Sequence, residues 1–412
     1  MPNKKKSILI LVKGSSGEID WILPILSKMS KKYNIYTYFK SVKAYNSLKN
    51  NREIFLLWKK INKDYFIDSY YKKFFSKLIR KLLIIFFVNK NSSIIIFLNN
   101  KIHNIQDLKN FFLKNKNSFF KFIFSEHFYL NSWVDSVKVK KEKSLVVHYP
   151  HSPYISFLKT PRKAFFKLNG DILLLSGDQD LHRWTNYIEK KNIRSLGTPK
   201  YDKWWVKEIL SISKLDVKKN FINKGKNFIV TIPYTPLIDT HREKEKIFKK
   251  QLSDLMSSLL EFSKVKIIFK VHPRSNGLML KKYLEQYNYC KNRWVISRSH
   301  LCSLANISNL FLCTVGSATI FDAIALKVPA VQFWPAIPSL EKINVHWVRS
   351  KLTSKVKNKD DLKKLVSSIL LKKNDKRWIN QQNSFKSTYL IKQKNTENII
   401  KTLDHEYDKI FN

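Results

Sequence analysis

The chain has 412 residues, too many for one ordinary domain and comfortable for two, each large enough to bury its own core. Its 44% hydrophobic and 14% aromatic content is that of a globular protein, and the longest apolar run, LLIIFFV at residues 82–88, falls far short of the roughly 18 residues of a membrane span. Lys and Arg number 77 against 31 Asp and Glu, a formal net charge of +46 that points to an anionic membrane surface, a phosphorylated substrate or compositional bias; lysine is scattered along the chain and no nucleic-acid motif appears, so nucleic acid is the least favoured partner.

Residues 7–12 form a β-type run, followed by a turn at 13–18 and a helical pattern through Ile19, Ile22, Leu23, Leu26 and Met29. Pro24 lies inside that pattern, so the helix is expected to start late, near Trp21, or to kink. The amino-terminal Lys4-Lys5-Lys6 and the short apolar run after it lack the length and cleavage site of a signal peptide, and a cytoplasmic first strand is expected. The 13–18 turn contains Gly14 and Gly17 but not the full GxGxxG, which argues against a dinucleotide fingerprint. A strand at 35–39 and a helix at 41–48 follow. Residues 51–90 interleave aromatic and basic residues at helical spacing and predict two amphipathic helices, with Trp58, Tyr65, Phe66, Tyr70 and Phe74 as core aromatics or as anchors on an anionic membrane surface.

Short apolar runs at 93–98, 120–124, 144–147 and 171–175, with helical stretches between them, predict a parallel sheet. A lysine-rich helical stretch at 206–224 is read as the connection between domains. The alternation then restarts. Strands are expected at 227–232, 265–270 and 294–297, with helices at 241–263, 278–286 and 301–306. Residues 311–335 read as strand, small-residue turn, helix, strand. The carboxyl-terminal segments 359–373 and 376–412 are expected to be helical, and Ile400, Leu403, Tyr407 and Ile410 predict a helix that packs back onto the body. The domain reading is an amino-terminal Rossmann-like unit at 1–205, a connection at 206–224, a second Rossmann-like unit at 225–380 and a terminal helix at 381–412.

Chemistry concentrates at the expected strand ends. His272 ends a strand of the second unit, with Arg274 two residues on, a pair suited to a phosphate or diphosphate. In the 311–335 stretch, Thr314, Gly316, Ser317, Ala318 and Thr319 form the turn before a helix, where backbone amides and the positive end of the helix dipole can face an anion. Asp322 lies in the first turn of that helix. His148 and His151 occupy a loop after a strand of the first unit, and either is a candidate general base for an acceptor hydroxyl. Cys290, Cys302 and Cys313 sit in or beside apolar segments, with no metal-ligand spacing, so reduced thiols and no structural zinc are expected, and the Asp178-Gln179-Asp180 triplet lacks the context of a metal-binding DxD.

These motifs resemble the bacterial GT-B-fold transferases of surface-polymer synthesis, above all the CDP-glycerol glycerophosphotransferase-like and capsular polysaccharide transferase group. KVHPR at 270–274 looks like that group's K-x-H-P motif, the stretch at 314–333 like its serine-rich turn followed by helix, proline and strand, and SLGTPKYD at 195–202 like its G-x-P-R-x-D segment with Lys200 in the arginine position. The HYPHSP loop resembles its H-G-x-P loop. The resemblance implies a GT-B-like α/β fold with a central cleft, donor diphosphate binding by His272 and the Ser317 turn, and a first-unit histidine as base. It further implies a nucleotide-activated donor as substrate with no separate cofactor or metal, a polymer or lipid-linked acceptor, and a cytoplasmic enzyme able to sit on the inner membrane face. A UDP-N-acetylglucosamine 2-epimerase-like isomerase shares the architecture and would need acidic and basic catalytic groups. The reading from a different class is a non-catalytic basic module bound to a polyanion.

Overall fold

The computed structural model describes residues 6–14, 16–67, 120–126, 143–150, 170–185, 187–223, 226–234, 242–273, 277–313, 318–333, 352, 354–371, 376–389 and 394–412. Two parallel sheets organise them. The first contains β1 (Ser7–Val12), β2 (Asn34–Phe39), β3 (Asn62–Ile67), β4 (Phe120–Glu126), β5 (Leu145–Tyr149), β6 (Ile172–Leu175) and β7 (Ile193–Ser195), in the order β3-β2-β1-β4-β5-β6-β7. The second contains β8 (Phe228–Tyr234), β9 (Val265–Val271), β10 (Trp294–Ser297), β11 (Leu310–Cys313), β12 (Ala330–Phe333) and β13 (Lys355–Val356), in the order β10-β9-β8-β11-β12-β13. Both orders reverse direction beside their own first strand, between β1 and β4 and between β8 and β11, as in doubly wound nucleotide-binding domains.

Continuous burial explains the strand sequences. In β1 every residue of SILILV is buried, as a central strand covered by helices on both faces requires. Alternate residues feed separate cores: Ile8, Ile10 and Val12 enter one cluster, Leu9 and Leu11 the other. In the second sheet Ile267, Phe269 and Val271 of β9 pack with the α5 (Arg242–Leu260) residues Leu252, Leu255 and Leu259, while Ile268 points to the opposite face.

Several helices depart from the sequence reading. Helix α1 (Ser16–Met29) starts well before Trp21 and accommodates a buried Pro24 in its interior. Helix α2 (Val42–Lys49) is capped by Ser41, whose Oγ accepts from Ala44 N at 3.1 Å. The first basic-aromatic helix is α3 (Arg52–Ile61), but the second does not begin at 62: residues 62–67 form β3, with Tyr65 and Phe66 paired in register with Thr37 and Tyr38. Aromatic residues favour strand wherever a neighbour offers an edge, and here Tyr38 stacks on Phe66 at 5.5 Å. Tyr70, Phe74 and the run at 93–98 lie outside the described residues.

The expected connecting helix at 206–224 is instead α4 (Lys203–Ile212), after which the chain turns. Helix α6 (Leu278–Leu284) gives way to a 3-10 segment, Glu285–Arg293, before β10, and α7 (Leu301–Ile307) and α8 (Ile320–Ala325) flank β11. After α9 (Lys359–Leu370), the carboxyl-terminal segment is two helices rather than one, α10 (Lys376–Tyr389) and α11 (Asn395–Phe411). Phe385 and Tyr389 of α10 pack with Phe321 in the second unit, whereas Ile399, Leu403 and Tyr407 of α11 join the core of the first. The expected stripe is thus rotated slightly: Ile399 is buried and Ile410 is exposed.

Two buried polar anchors fix α11. Lys121 of β4 donates to Asp404 at 3.1 Å and lies 4.3 Å from the Tyr407 ring centre. Asp202, directly before α4, accepts from Thr396 Oγ1 at 2.6 Å, Thr396 N at 2.8 Å, Asn395 Nδ2 at 3.1 Å and Asn395 N at 3.2 Å. A distant carboxylate thus does for α11 what an N-cap does for an ordinary helix. Gly197 (φ 85°) shapes the turn beneath this anchor, where a Cβ would sit 2.3 Å from Asn395 Oδ1.

Candidate functional site

In a doubly wound sheet ligands bind beyond the carboxyl ends of the strands, at the point where the strand order reverses. At that point in the first sheet stand Lys13, just past β1, Glu18 in the first turn of α1, Glu126 at the end of β4 and Tyr149 at the end of β5. Glu18, Glu126 and Tyr149 are all buried. The Glu18 carboxylate accepts from Lys13 N at 2.9 Å and Gly14 N at 2.5 Å, so the turn that could have cradled an external anion already wraps around an internal one. Burial lowers the Lys13 ammonium pKa below its usual value, against the pull of Glu18 and Glu126. Burial pushes the Tyr149 hydroxyl well up, and the same two carboxylates add to it.

His148 belongs to β5 itself. Its ring is fully buried, Nδ1 lies 2.7 Å from Ser125 Oγ, and the Cδ2–Nε2 edge packs so closely on Gly170 that a Cβ there would approach both atoms to 2.3 Å. The ring is therefore enclosed by the sheet rather than open at its rim. His151 lies outside the described residues.

At the reversal point of the second sheet, β11, α8 and β12 follow one another in the expected order, with β11 and β12 parallel. Thr314, Gly316 and Ser317 lie outside the described residues, as does Arg274. Ala318 and Thr319 are half-buried, and Thr319 Oγ1 lies 3.6 Å from Cys313 Sγ. His272, directly after β9, is half-buried. The carbonyl of the next residue, Pro273, accepts from Asn50 Nδ2 at 3.1 Å, so the strand-end loop that carries His272 touches the end of α2 in the first unit.

Asp322 does not face an anion. It is 1% exposed and takes part in an ionic cluster drawn from both units. Lys200 Nζ lies 3.1 Å from Asp322 Oδ1 and 3.4 Å from Asp20 Oδ2 of α1, while His300 Nε2 lies 3.5 Å from Asp20 Oδ1. His300 also caps α7, its Nδ1 accepting from Cys302 N at 3.2 Å. Burial works to raise the Asp20 carboxyl, but Lys200 and His300 outweigh it and bring it down to about 2. Asp322 is shifted up, because burial and the neighbouring Asp20 together exceed the pull of Lys200. Burial would lower Lys200; Asp322, Tyr201 and Asp20 hold it well above the usual lysine range.

A second interdomain cluster surrounds Lys270, the first residue of the KVHPR motif. Its ammonium donates to Arg298 O at 2.7 Å and feels Asp216 of the connecting segment and Glu53 of α3. Burial dominates and brings it down to about 8. Asp216 in turn accepts from Arg298 N and from Ser299 Oγ, both at 2.6 Å.

Of the site residues singled out from the sequence, His148, His272, Ala318, Thr319 and Asp322 are among the described ones; Glu18, Glu126 and Asp20 were not singled out. Glu126 had a legible signal, a carboxylate closing the apolar strand FKFIFSE. Glu18 had none beyond an ordinary acidic first turn, and Asp20, further into the helix, had none. Among the described residues no group of three or more His, Cys, Asp or Glu is arranged to hold a metal, and no helix is long and apolar enough to cross a membrane.

No protein-family model and no curated protein sequence matches the chain. Solved structures do. The UDP-GlcNAc 2-epimerase from Neisseria meningitidis bound to UDP-GlcNAc aligns at a TM-score of 0.61 and 12% identity, over 96% of this chain and 99% of the other. The wall teichoic acid polymerase TagF, in a crystal soaked with CDPG, aligns at a TM-score of 0.54 and 14% identity over 98% and 89%. The glycotransferase of kitacinnamycin aligns at a TM-score of 0.57 and 8% identity over 98% and 99%. At these identities the likeness is one of fold. The chain has the GT-B architecture, two Rossmann-like domains in one α/β protein.

Proposed function

We propose that the protein is an enzyme acting on a nucleotide-activated substrate, a transferase that moves a glycosyl or polyol-phosphate group to a cell-surface polysaccharide or teichoic-acid-like acceptor. The observation that carries the reading is the Asn50–Pro273 contact, which ties the His272 strand end of the second sheet to the first unit. A group-transfer cleft needs a cationic or amide-rich side for the leaving diphosphate and a basic side for the acceptor hydroxyl. His272, Arg274, Thr314, Gly316, Ser317, Ala318 and Thr319 are the donor-side candidates. On the acceptor side, His151 is the candidate base of the loop and Glu126 joins it as a carboxylate at the sheet's reversal point, since His148 is enclosed. Teichoic-acid and sugar-transferring enzymes among the structural relatives support a nucleotide donor.

The isomerase reading gains one specific support. It requires acidic and basic groups together, and Glu18, Glu126 and Lys13 are near enough for both carboxylates to act on the lysine's titration. The two readings separate cleanly. Purified protein is first screened by thermal shift against CDP-glycerol, CDP-ribitol, CMP-sugars, UDP-sugars and GDP-sugars, where a ligand at 100 times its Kd stabilises by about 2.7 kcal/mol. The binding nucleotide is then offered with and without a polymer acceptor. Acceptor-dependent nucleotide release supports the transferase; interconversion of UDP-N-acetylhexosamines without acceptor supports the isomerase. A polyanion-binding module would show neither, and its binding would be indifferent to His272→Ala and Ser317→Ala.

A further inference from the structure

Lys200, which stands where the resembled motif has arginine, bridges carboxylates of the two domains. It is 9% exposed and its two carboxylate partners lie 180 and 122 residues away in sequence. Asp20 belongs to α1 on the first sheet, Asp322 to α8 on the second, and His300 to the cap of α7. Elements of both domains, α1 and α8, thus meet on one ammonium, and His300 joins them through Asp20. Asp322 Oδ2 and the Tyr201 hydroxyl are buried and accept or donate no hydrogen bond among the described residues, so the cluster depends on charge more than on a saturated hydrogen-bond lattice.

The surroundings amplify the position of that ammonium. Helix α8 directly follows Thr319, and Leu326, just past its end, packs against both the first-domain core and the cluster of Phe321, Ile324 and Phe385. Cys302 of α7 is itself part of the first-domain core and lies 3.8 Å from Asp322 Oδ1. A shift of Asp322 relative to Asp20 therefore moves α8 relative to the first sheet.

We propose that Lys200 is a positioning residue: its buried ammonium, shared by Asp20 and Asp322, fixes the closure of the second domain on the first and so the alignment of the two halves of the cleft. An ion of this kind is costly to break, because removing the cation leaves two carboxylates facing each other out of water. Replacing the whole set by neutral groups of similar shape removes that penalty while also removing the link.

The inference rests on the proposed function only where it concerns nucleotide, and its test has two independent arms. Small-angle scattering is recorded for wild type, Lys200→Met, Lys200→Arg and the charge-free triple variant Lys200→Met, Asp20→Asn, Asp322→Asn. Lys200→Met is expected to enlarge the radius of gyration or broaden the distance distribution, and Lys200→Arg to retain the wild-type curve. If Lys200→Met does not fold, the triple variant takes its place with the same expectation. A wild-type scattering curve for the folded charge-removed form would overturn the proposal, as would failure of the triple variant to fold, which would make the cluster part of the folding core rather than a link. In the second arm, UDP and CDP are titrated by calorimetry, and a loss of affinity of roughly tenfold or more in the expanded form is expected. Expansion with no nucleotide bound by any form leaves the positioning role standing and removes the proposed function.

Discussion

The anchor at Asp202 offers the sharpest test of how the carboxyl-terminal helix is held. The residue is 2% exposed, and its carboxylate accepts four hydrogen bonds from Asn395 and Thr396, two of them from backbone amides at the start of α11. In Asp202→Ala the Thr396 hydroxyl can rotate elsewhere and Asn395 Nδ2 keeps a contact with Thr198 O at 3.4 Å, so only the two backbone amides are orphaned. At ~1–3 kcal/mol for each unsatisfied buried donor, the loss is roughly 2–6 kcal/mol. Part of it is returned, because burial already pushes the Asp202 carboxyl pKa up, against the hydrogen bonds from Thr396 and Asn395, and the variant no longer carries that desolvated charge. A net cost of about 3 kcal/mol in the local opening of α11 is expected. Asp202→Asn keeps one acceptor and carries no charge, so it should lose less. Because a two-domain chain need not unfold in a single step, the assay is amide hydrogen exchange over residues 395–398, where ~3 kcal/mol corresponds to exchange faster by about a hundredfold. Exchange within tenfold of wild type in Asp202→Ala would refute the anchor.

Lys270 makes a pH prediction. Its pKa is about 8 when buried against 10.5 in the open chain, so between those values the unfolded state binds more protons and stability rises with pH. At most about 3 kcal/mol is at stake over that window, and comparing denaturation curves of wild type and Lys270→Met from pH 7 to 10.5 should show a steeper rise in the former, since Lys13, also lowered by burial, contributes to both. Gly170→Ala would drive a methyl into the His148 ring and should destabilise by ~1–3 kcal/mol, measured by urea denaturation; no loss would mean the ring is not enclosed. Lys327 has φ of 62° in the turn after α8, so Lys327→Gly should raise the midpoint of thermal unfolding, by the equivalent of ~1 kcal/mol. In the proposed reaction, Glu126→Gln and His272→Ala should each depress turnover, and nucleotide affinity should fall in the second alone; the same titration and rate assay reads both.

Much of this architecture was legible from the chain alone. Continuous apolar runs such as SILILV and VKIIFKV announce parallel strands because both faces of such a strand are covered, a local property that composition records. Where pairing partners decide, the pattern misled: residues 62–67 fall in the 51–90 stretch read as two amphipathic helices, but the open edge of β2 recruited them as a strand. The break between α10 and α11 was equally invisible, since α10 packs Tyr389 on Phe321 while α11 starts on the Asp202 carboxylate, tertiary contacts rather than local propensity. The same division runs through the candidate site. The place of His272 directly after a strand was readable because an apolar run marks where a parallel strand ends. Asp322 was read as a donor-side group from its place in a first helical turn, and only the tertiary structure turns it inward to Lys200. Lys200, Asp20 and His300 are ordinary residues in three unrelated segments. What joins them is the docking of two domains, and a buried charge acquires its meaning only from the partner that the fold brings to it.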